Sequence, residues 1–333
     1  MNTCRVSVIV PACNASSYLD RCLGALLAGQ GDGYEIIVVD DCSVDATPAI
    51  AERLGVEVIR LNSNSGPSRA RNTGARRARG EYLLFVDSDV VVRPGTIPHI
   101  REFLDANPGV ASVFGSYDTE PAAKGIVTEY RNLLHHYTHQ QGRREASTFW
   151  AGCGAIRREV FLAVGGFDEV SHPRCIEDIE LGYRLRAAGH QIVLDHELLC
   201  KHMKRWTVPS MVKTDILGRA IPWARLMIGR KTAPDDLNIK RAQKLCVLLM
   251  GLALLSIPAV LLTPWSLAVG AAALLLIVAL NAPLFRFLVE RRSVLFAIAC
   301  IPLQFLYYLY SGLSYAYVRL FMALGLRVRD GNV

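Results

Sequence analysis

The stretch Tyr82-Leu83-Leu84-Phe85-Val86-Asp87-Ser88-Asp89 is a short apolar run that ends in two acids. An uninterrupted apolar run of this length is typical of a strand that is buried on both faces of a sheet. Alternate residues of an extended chain point the same way, so Asp87 and Asp89 could both offer oxygens to one hard divalent cation. The alternative is a solvated turn closed by an Asx hydrogen bond, since Asp-x-Asp is a common sequence.

Similar apolar runs lie upstream, and each is followed by a stretch with helical spacing. The run that begins at Glu35 ends in Asp40 and Asp41, and Ser16 or Ser17 is expected to cap the first helix. Strands alternating with helices predict an α/β fold, a mostly parallel sheet flanked by helices, with ligands beyond the carboxyl ends of the strands. Four carboxylates at one edge would repel each other unless a cation or hydrogen-bond donors compensate. The predicted strands are 6–11, 35–41, 56–61 and 82–87, and the predicted helices begin near 19, 48 and 68.

The pattern is less regular beyond Val110. A strand is expected at 110–117, a helix at 122–141 and a glycine-containing strand or loop at 148–157. A further helix should open at Glu177-Asp178, with Ile176, Ile179 and Tyr183 on one face.

Composition excludes several classes of protein. An apolar fraction of 51% in 333 residues excludes a disordered or fibrous chain. Nine cysteines, an odd number without a Cys-x-x-Cys pair, argue against a disulfide framework or a zinc module and fit a reducing compartment. The net charge of +7 could suit a polyanion, but basic residues flank hydrophobic segments and no nucleic-acid module is present. We therefore expect no nucleic-acid partner.

The C-terminal part carries the excess hydrophobicity. Residues 245–285 contain no Asp, Glu, Lys or Arg. This segment is long enough for two membrane helices joined near Pro264. Residues 293–318 form a third candidate span, which either crosses or is re-entrant. Basic residues before the first span and after the second favour a multi-pass protein of the cell inner membrane whose N-terminal part is cytoplasmic. Met1–Cys4 leads directly into a strand pattern, so no signal peptide is expected.

Six segments carry a combined pattern, and their residues are 8–14 (VIVPACN), 37–47 (IVVDDCSVDAT), 66–74 (GPSRARNTG), 87–89 (DSD), 165–169 (GGFDE) and 177–182 (EDIELG). In this order they resemble the family 2 glycosyltransferases over roughly residues 5–206. The resemblance implies a GT-A fold, a nucleotide-diphospho-sugar donor, a divalent metal, Mg²⁺ or Mn²⁺, and inversion at the anomeric carbon. The predicted regions are a catalytic domain at 1–206, amphipathic interfacial helices at 207–243, two or three transmembrane helices at 244–321 and a tail at 322–333.

The resemblance also assigns the donor site. Asp89 is implied as the direct metal ligand, with Asp87 towards the ribose or reaching the ion through water. Physically, a carboxylate can accept from the imide of uracil, and Arg71 could either neutralise phosphate or extend from a helix face. The residues implied in nucleotide-sugar binding are Pro11, Asn14, Asp40, Asp41, Arg71, Asn72, Asp87 and Ser88.

The acid that opens the predicted helix at Glu177-Asp178 matches the general base of the family, and Asp178 is the candidate. Carboxylates in a first helical turn also complement the helix dipole without any catalytic role. His202 is predicted as a third metal ligand, the alternative being a structural histidine. Trp150, Gly152 and Trp206 are expected on the acceptor side.

These features predict a membrane-anchored enzyme that transfers a sugar, from a UDP-linked donor more than a GDP-linked one, to a lipid or lipid-linked acceptor. A processive polysaccharide synthase is an alternative, but His202 replaces the glutamine of the Gln-x-x-Arg-Trp motif, and so few spans would enclose a pore only in a homo-oligomer. A polyprenyl-phosphate glycosyltransferase is a second alternative. Those enzymes have a longer acidic signature after Asp-x-Asp, and Val90–Pro94 departs from it here. A non-catalytic sugar-nucleotide binding protein is a third.

Overall fold

The structure is a computed structural model that describes residues 4–28, 31–172, 174–230 and 240–326. Its contacts divide the chain into two compact units. Unit 1 comprises Met1–Ala123 and His139–Lys204, and unit 2 comprises Lys124–Thr138 and Arg205–Val333.

Unit 1 is built on one sheet of eight described strands in the order β3-β2-β1-β4-β7-β6-β8-β5. The strands are β1 Val6–Ala12, β2 Tyr34–Asp40, β3 Glu57–Arg60, β4 Tyr82–Val86, β5 Val90–Val92, β6 Val110–Tyr117, β7 Cys153–Arg157 and β8 Gln191–His202. The helices are α1 Leu19–Leu27, α2 Thr47–Arg53, α3 Pro67–Arg77, α4 Thr96–Ala106, α6 Arg158–Ala163 and α7 Glu177–Ala187, while α5 Ile126–Gln140 belongs to unit 2 as far as Thr138.

The four N-terminal strands pair in parallel, as the alternating pattern predicts. All residues of β4 are buried, which explains its uninterrupted apolar run. The expected serine cap of α1 is wrong: Tyr18 occupies the N-cap position, with no side-chain cap hydrogen bond. The backbone N–H of Ser16 instead donates to Asp45 Oδ2, so this segment is held by the neighbouring loop.

The other half of the sheet is mixed. Strand β7 is antiparallel to β4 and β6, and β5 is antiparallel to β8, while β6 and β8 are parallel. The sequence pattern does not predict β5 or β8. The pairing of Val90 with His202 places the residues after the Asp-x-Asp turn beside the end of β8.

The predicted helix at Glu177 is present as α7. Ile176 precedes the helix with φ at 53°, and Ile179 and Tyr183 are only half-buried. Two of its buried residues are acids, Glu177 and Glu180. Their ion pairs with Arg71 and Arg184 offset the free-energy cost of burying the two charges. The buried residues of α7 are Glu177, Glu180, Leu181, Gly182 and Leu185.

Unit 2 is helical in its described part. Its elements are α8 Val208–Asp215, a π-helical turn Ile216–Ala220, α9 Ile221–Arg230, α10 Arg241–Ser256, a 3-10 turn Pro258–Leu261, α11 Trp265–Leu280, α12 Ala282–Arg291 and α13 Val294–Ala323. Two described helices, Arg241–Leu261 and Val294–Ala323, are long and apolar enough to cross a membrane. Helices α11 and α12 meet that requirement only as a pair, bent by 58°.

Candidate functional site

The carboxyl ends of β1, β2 and β4 lie side by side in the parallel half of the sheet. Pro11 pairs with Val39 near the ends of β1 and β2, and Ala12 pairs with Asp40. Because parallel strands deliver their following loops to one edge, three of the predicted segments meet there.

Two of these loops are joined by hydrogen bonds. The backbone N–H of Asn14 donates to Ser43 Oγ at 2.9 Å, and Asn14 Oδ1 accepts from the N–H of Val44 at 3.0 Å. Thr47 Oγ1 accepts from the N–H of Ala15 and donates to Asp45 Oδ1. Ser43, Asp45 and Thr47 stand in the quoted 37–47 segment but were not predicted as site residues. Their side chains set the shape of this edge.

Asp41 and Asp40 differ in what they contact. Asp41 accepts from the N–H groups of Ser65 and Gly66, each at 2.7 Å, and so anchors the loop before α3. Asp40 accepts from the N–H of Ser43 at 3.3 Å, closing the turn after β2. Both acids are buried, and both acquire a structural function that the sequence did not indicate.

Arg71 lies at the centre of the charged part of the site. Its guanidinium is 5% exposed and donates to Glu177 Oε1 at 2.5 Å and to Asp87 Oδ1 at 2.7 Å. It also lies 5.5 Å from the ring centroid of Phe167. The alternative of a side chain extending from a helix face is therefore wrong, because Arg71 is buried between two carboxylates.

Asn72 connects α3 to the Gly165–Glu169 segment. Its amide nitrogen donates to Phe167 O and Glu169 Oε1, and its Oδ1 accepts from the N–H of Phe167 at 2.9 Å. These contacts hold the two motifs together, and nucleotide binding by Asn72 stays a prediction. Gly166 lies against this amide, with φ at +70°, and a Cβ there would be 2.6 Å from Asn72 Oδ1.

Gly166→Ala is expected to destabilise the protein by about 2–4 kcal/mol, because the new methyl group adds a clash to the cost of a left-handed backbone. Gly165→Ala is the matched control, since Gly165 has φ at +84° and nothing within 4 Å of an added Cβ. It should lose only about 1 kcal/mol. Thermal unfolding of the purified full chain measures both, and equal losses would contradict the prediction.

Asp89 and His202 meet through the β5–β8 pairing. His202 Nε2 lies 3.5 Å from Asp89 Oδ2, and the N–H of Met203 donates to Asp89 O at 2.9 Å. Burial opposes ionisation of Asp89, but His202 and Lys204 outweigh it and lower the pKa of this carboxyl. An imidazole nitrogen beside a carboxylate oxygen gives two adjacent ligands of the kind that Mn²⁺ or Mg²⁺ accepts.

No cluster of three or more His, Cys, Asp or Glu side chains suited to a metal ion occurs in the described part of the chain. A catalytic Mg²⁺ commonly has one or two protein ligands and takes the remainder from substrate phosphates and water. Asp89 and His202 fit such an incomplete site. Asp87 is less suited to direct coordination because one of its oxygens bonds Arg71.

An aromatic pair, Tyr117 and Trp150, packs beside His202. The ring of Tyr117 stacks on His202 with centroids 4.3 Å apart and an interplanar angle of 13°, and it meets Trp150 edge-on at 4.9 Å. Trp150 also covers Gly152, where an added Cβ would lie 2.4 Å from the indole. A side chain at position 152 would therefore force the Trp150 indole to shift. Tyr117 was not predicted; its position at the end of β6 is the only sequence signal for it.

Asp178 opens α7 beside this aromatic group. Its Oδ1 accepts from the N–H of Ile179 at 2.8 Å and its Oδ2 from the N–H of Ala151 at 3.3 Å. Burial raises the pKa of Asp178 to about 7; the Glu177 carboxylate adds to this shift, and Arg71 opposes it. A carboxyl with this pKa is suited to exchange protons near neutral pH.

These contacts connect the two ends of the site. The Tyr117–Trp150 pair connects His202 with the segment that holds Asp178, and Arg71 connects Glu177 with Asp87. Trp206 belongs to unit 2, where it exchanges two hydrogen bonds with Thr128 and lies 4.2 Å below the Arg131 guanidinium. Its predicted acceptor role stays a prediction.

Comparison with known proteins identifies the domain. Residues 7–165 match the family model "Glycosyl transferase family 2". The chain is 40% identical over 104 residues to the succinoglycan biosynthesis protein ExoO of Rhizobium meliloti, covering 30% of each protein. It is 31% identical over 243 residues to the pre-mycofactocin glycosyltransferase of Mycobacterium tuberculosis, covering 69% of this chain and 49% of that protein. The chain thus spans half or less of the length of these two curated relatives.

Solved structures share the fold. A mannosyltransferase from Pyrobaculum calidifontis, solved with GDP-Man and Mn²⁺, matches with a TM-score of 0.57 and 20% identity over 94% of this chain and 87% of that one. Residues 1–349 of TarS from Staphylococcus aureus, solved with UDP-GlcNAc, match with a TM-score of 0.54 and 20% identity over 99% and 94%. The predicted GT-A fold with C-terminal apolar helices is confirmed.

Proposed function

From the family 2 glycosyltransferase domain that this chain contains, we propose that it transfers a sugar from a nucleotide-diphospho-sugar to a lipid or lipid-linked acceptor with inversion of configuration. The observation that supports this best is the connected group in unit 1, which joins a metal-type pair, Asp89 and His202, to a candidate base, Asp178. The donors in the TarS and mannosyltransferase structures are nucleotide sugars, and we favour UDP.

In this mechanism the acceptor hydroxyl attacks the anomeric carbon from the face opposite the diphosphate. The new carbon–oxygen bond forms as the bond to phosphate breaks, the proton passes to the Asp178 carboxylate and the nucleoside diphosphate leaves. Asp89 and His202 would hold Mg²⁺ or Mn²⁺, which when bound supplies Lewis-acid stabilisation of the leaving group. Arg71 holds the Asp87 and Glu177 carboxyls in place through its two hydrogen bonds.

We place the enzyme at the membrane, with unit 1 on the cytoplasmic side. The two candidate spans of unit 2 support membrane association. Lys240, Arg241 and Lys244 lie at the N-terminal end of the first span, and the positive-inside rule puts that end in the cytoplasm. An anchored enzyme meets a lipid acceptor at a raised effective concentration, whereas an enzyme for free sugars gains nothing from the anchor.

The direct test is nucleoside diphosphate release by the full chain in detergent, with a panel of sugar nucleotides and a membrane lipid extract. We expect release and labelled lipid, loss of both with a chelator, and recovery with Mn²⁺ or Mg²⁺. A non-catalytic binding protein would release nothing with either ion. Labelling of water-soluble glycans alone would overturn the lipid acceptor.

The pH dependence follows from the pKa of Asp178. A base works only when ionised, so kcat/KM should rise with pH and level off above about 7. Glu177→Gln removes a like charge next to Asp178, which lowers the pKa and moves the acidic limb to lower pH. Glu52→Gln, at a side chain that is 53% exposed and pairs with Arg60, is the control. If the acidic limb of the kcat/KM profile is unchanged in Glu177→Gln, ionisation of Asp178 does not produce that limb.

A further inference from the structure

Unit 2 encloses a cavity of about 810 Å³ between α5, the α8–α9 segment, α10 and α13. This volume falls within the range of about 300–1,000 Å³ that is usual for ligand sites. Much of the wall is apolar or aromatic, including Leu134, Trp223, Met227 and Val247. The cavity therefore offers hydrocarbon a surface inside the unit that carries the candidate membrane spans.

Charge on the wall is unbalanced. The described lining residues include four bases, Arg131, Arg219, Lys244 and Arg319, and one acid, Asp215. Asp215 already accepts from Arg131 at 2.7 Å and from the Tyr310 hydroxyl, while Arg219 lies 3.8 Å away. Lys244 and Arg319 are exposed at their helix surfaces. A ligand with a negatively charged head would balance the excess of positive charge on the described wall.

Two further local features of the wall, besides its charge, are typical of a binding site. The π-helical turn Ile216–Ala220 interrupts the helical run and contributes Arg219 and Ala220 to the wall, and such insertions are frequent at functional sites. Gln243 Oε1, also on the wall, is a buried oxygen with no hydrogen-bond donor among the described residues. An unsatisfied buried acceptor costs free energy unless water or a hydroxyl group donates to it.

We infer that this cavity binds one anionic membrane lipid, with its phosphate head at Arg219, Lys244 and Arg319 and its hydrocarbon chain against the apolar wall. A bulk apolar lipid would leave Lys244 and Arg319 without a counter-charge among the described residues, and inorganic phosphate would leave the apolar wall without contacts. The inference rests on the membrane association in the proposed function and is independent of sugar transfer.

The test measures lipid binding by the full chain in a neutral detergent, without sugar nucleotide. The probes are a long-chain polyprenyl monophosphate, the matching uncharged polyprenol and inorganic phosphate. We expect saturable binding of the lipid phosphate at one per chain, with the other two at least tenfold weaker. Equal binding of polyprenol would overturn the phosphate site, and binding of free phosphate alone would overturn the lipid site.

Variants locate the site. Lys244→Gln with Arg319→Gln should weaken lipid phosphate binding at least tenfold, and Val247→Trp should do the same by filling the cavity. Arg286→Gln is the charge control, because Arg286 is 83% exposed, pairs with Glu290 and does not line the cavity. Leu252→Trp, on an exposed part of α10, controls for the added indole.

If Val247→Trp unfolds, the charge variants, which alter exposed positions, still decide the result. Wild-type binding in the charge variants would place the lipid elsewhere. Nucleoside diphosphate release, assayed separately, distinguishes failure of this inference from failure of the proposed transfer.

Discussion

Asp178→Asn is expected to lower kcat for sugar transfer by about 10³-fold, within the range of 10²–10⁴ that general-base catalysis supplies. The amide has the size of the carboxyl but cannot take a proton from the acceptor hydroxyl. Its oxygen can still accept from the N–H of Ile179, so the start of α7 should persist. Removing a charge next to Glu177 also relieves repulsion.

Two measurements separate catalysis from binding in this variant. Calorimetric affinity for the nucleoside diphosphate should stay within about twofold of wild type, while initial rates of product release fall. Asp20→Asn, at a side chain that is 57% exposed and pairs with Arg53, serves as the control acid and should keep full activity. Wild-type turnover in Asp178→Asn would remove Asp178 from the mechanism.

Arg71→Met is expected to cost about 3–5 kcal/mol of stability at pH 8, because it leaves the buried Glu177 and the partly exposed Asp87 without their cation. Burial already raises the pKa of the Asp87 carboxyl and Arg71 opposes that shift, so the pKa should rise further without Arg71. Protonation at lower pH would remove the unpaired charges, so the penalty should shrink between pH 8 and pH 5. Thermal unfolding of the full chain across this range measures the effect.

A second substitution shows whether charge is the cause. Arg71→Met with Glu177→Gln should recover part of the lost stability, since only Asp87 then lacks its partner. Arg79→Met is the matched control, because Arg79 is 65% exposed where it pairs with Glu35, and it should cost no more than about 1 kcal/mol. An equal loss in the control, or no recovery in the double variant, would contradict a buried charge network.

The parallel half of the sheet could be predicted because it depends on local information. The apolar runs of β1, β2 and β4 have the length and burial of central strands, and the helices between them follow from spacing. The mixed half could not be predicted. Strand β8 contains Asp195, His196 and Glu197, so its pattern resembles a loop, and its long-range pairing with β5 makes it a strand.

The candidate site divides in the same way. Asp87 and Asp89 stand out from their position after a predicted strand, whereas Asp178 was singled out by the resemblance to the family 2 glycosyltransferases. Tyr117 and the cross-loop residue Asp45 gain their roles only from contacts between distant segments. For Asn72 and Asp41 the sequence motifs suggested nucleotide contacts. The structure shows that both side chains also accept hydrogen bonds that hold neighbouring loops.

The sequence alone determined the order of strands and helices at the N-terminus, the positions of the acids and the apolar segments near the C-terminus. Each of these depends on neighbours within a few residues, where periodicity and side-chain chemistry act directly. Only the tertiary structure decided that Arg71 lies between Asp87 and Glu177, that His202 lies beside Asp89, and that unit 2 encloses a basic, largely apolar cavity. Those arrangements depend on strand register and helix packing between residues far apart in the chain, which local pattern does not encode.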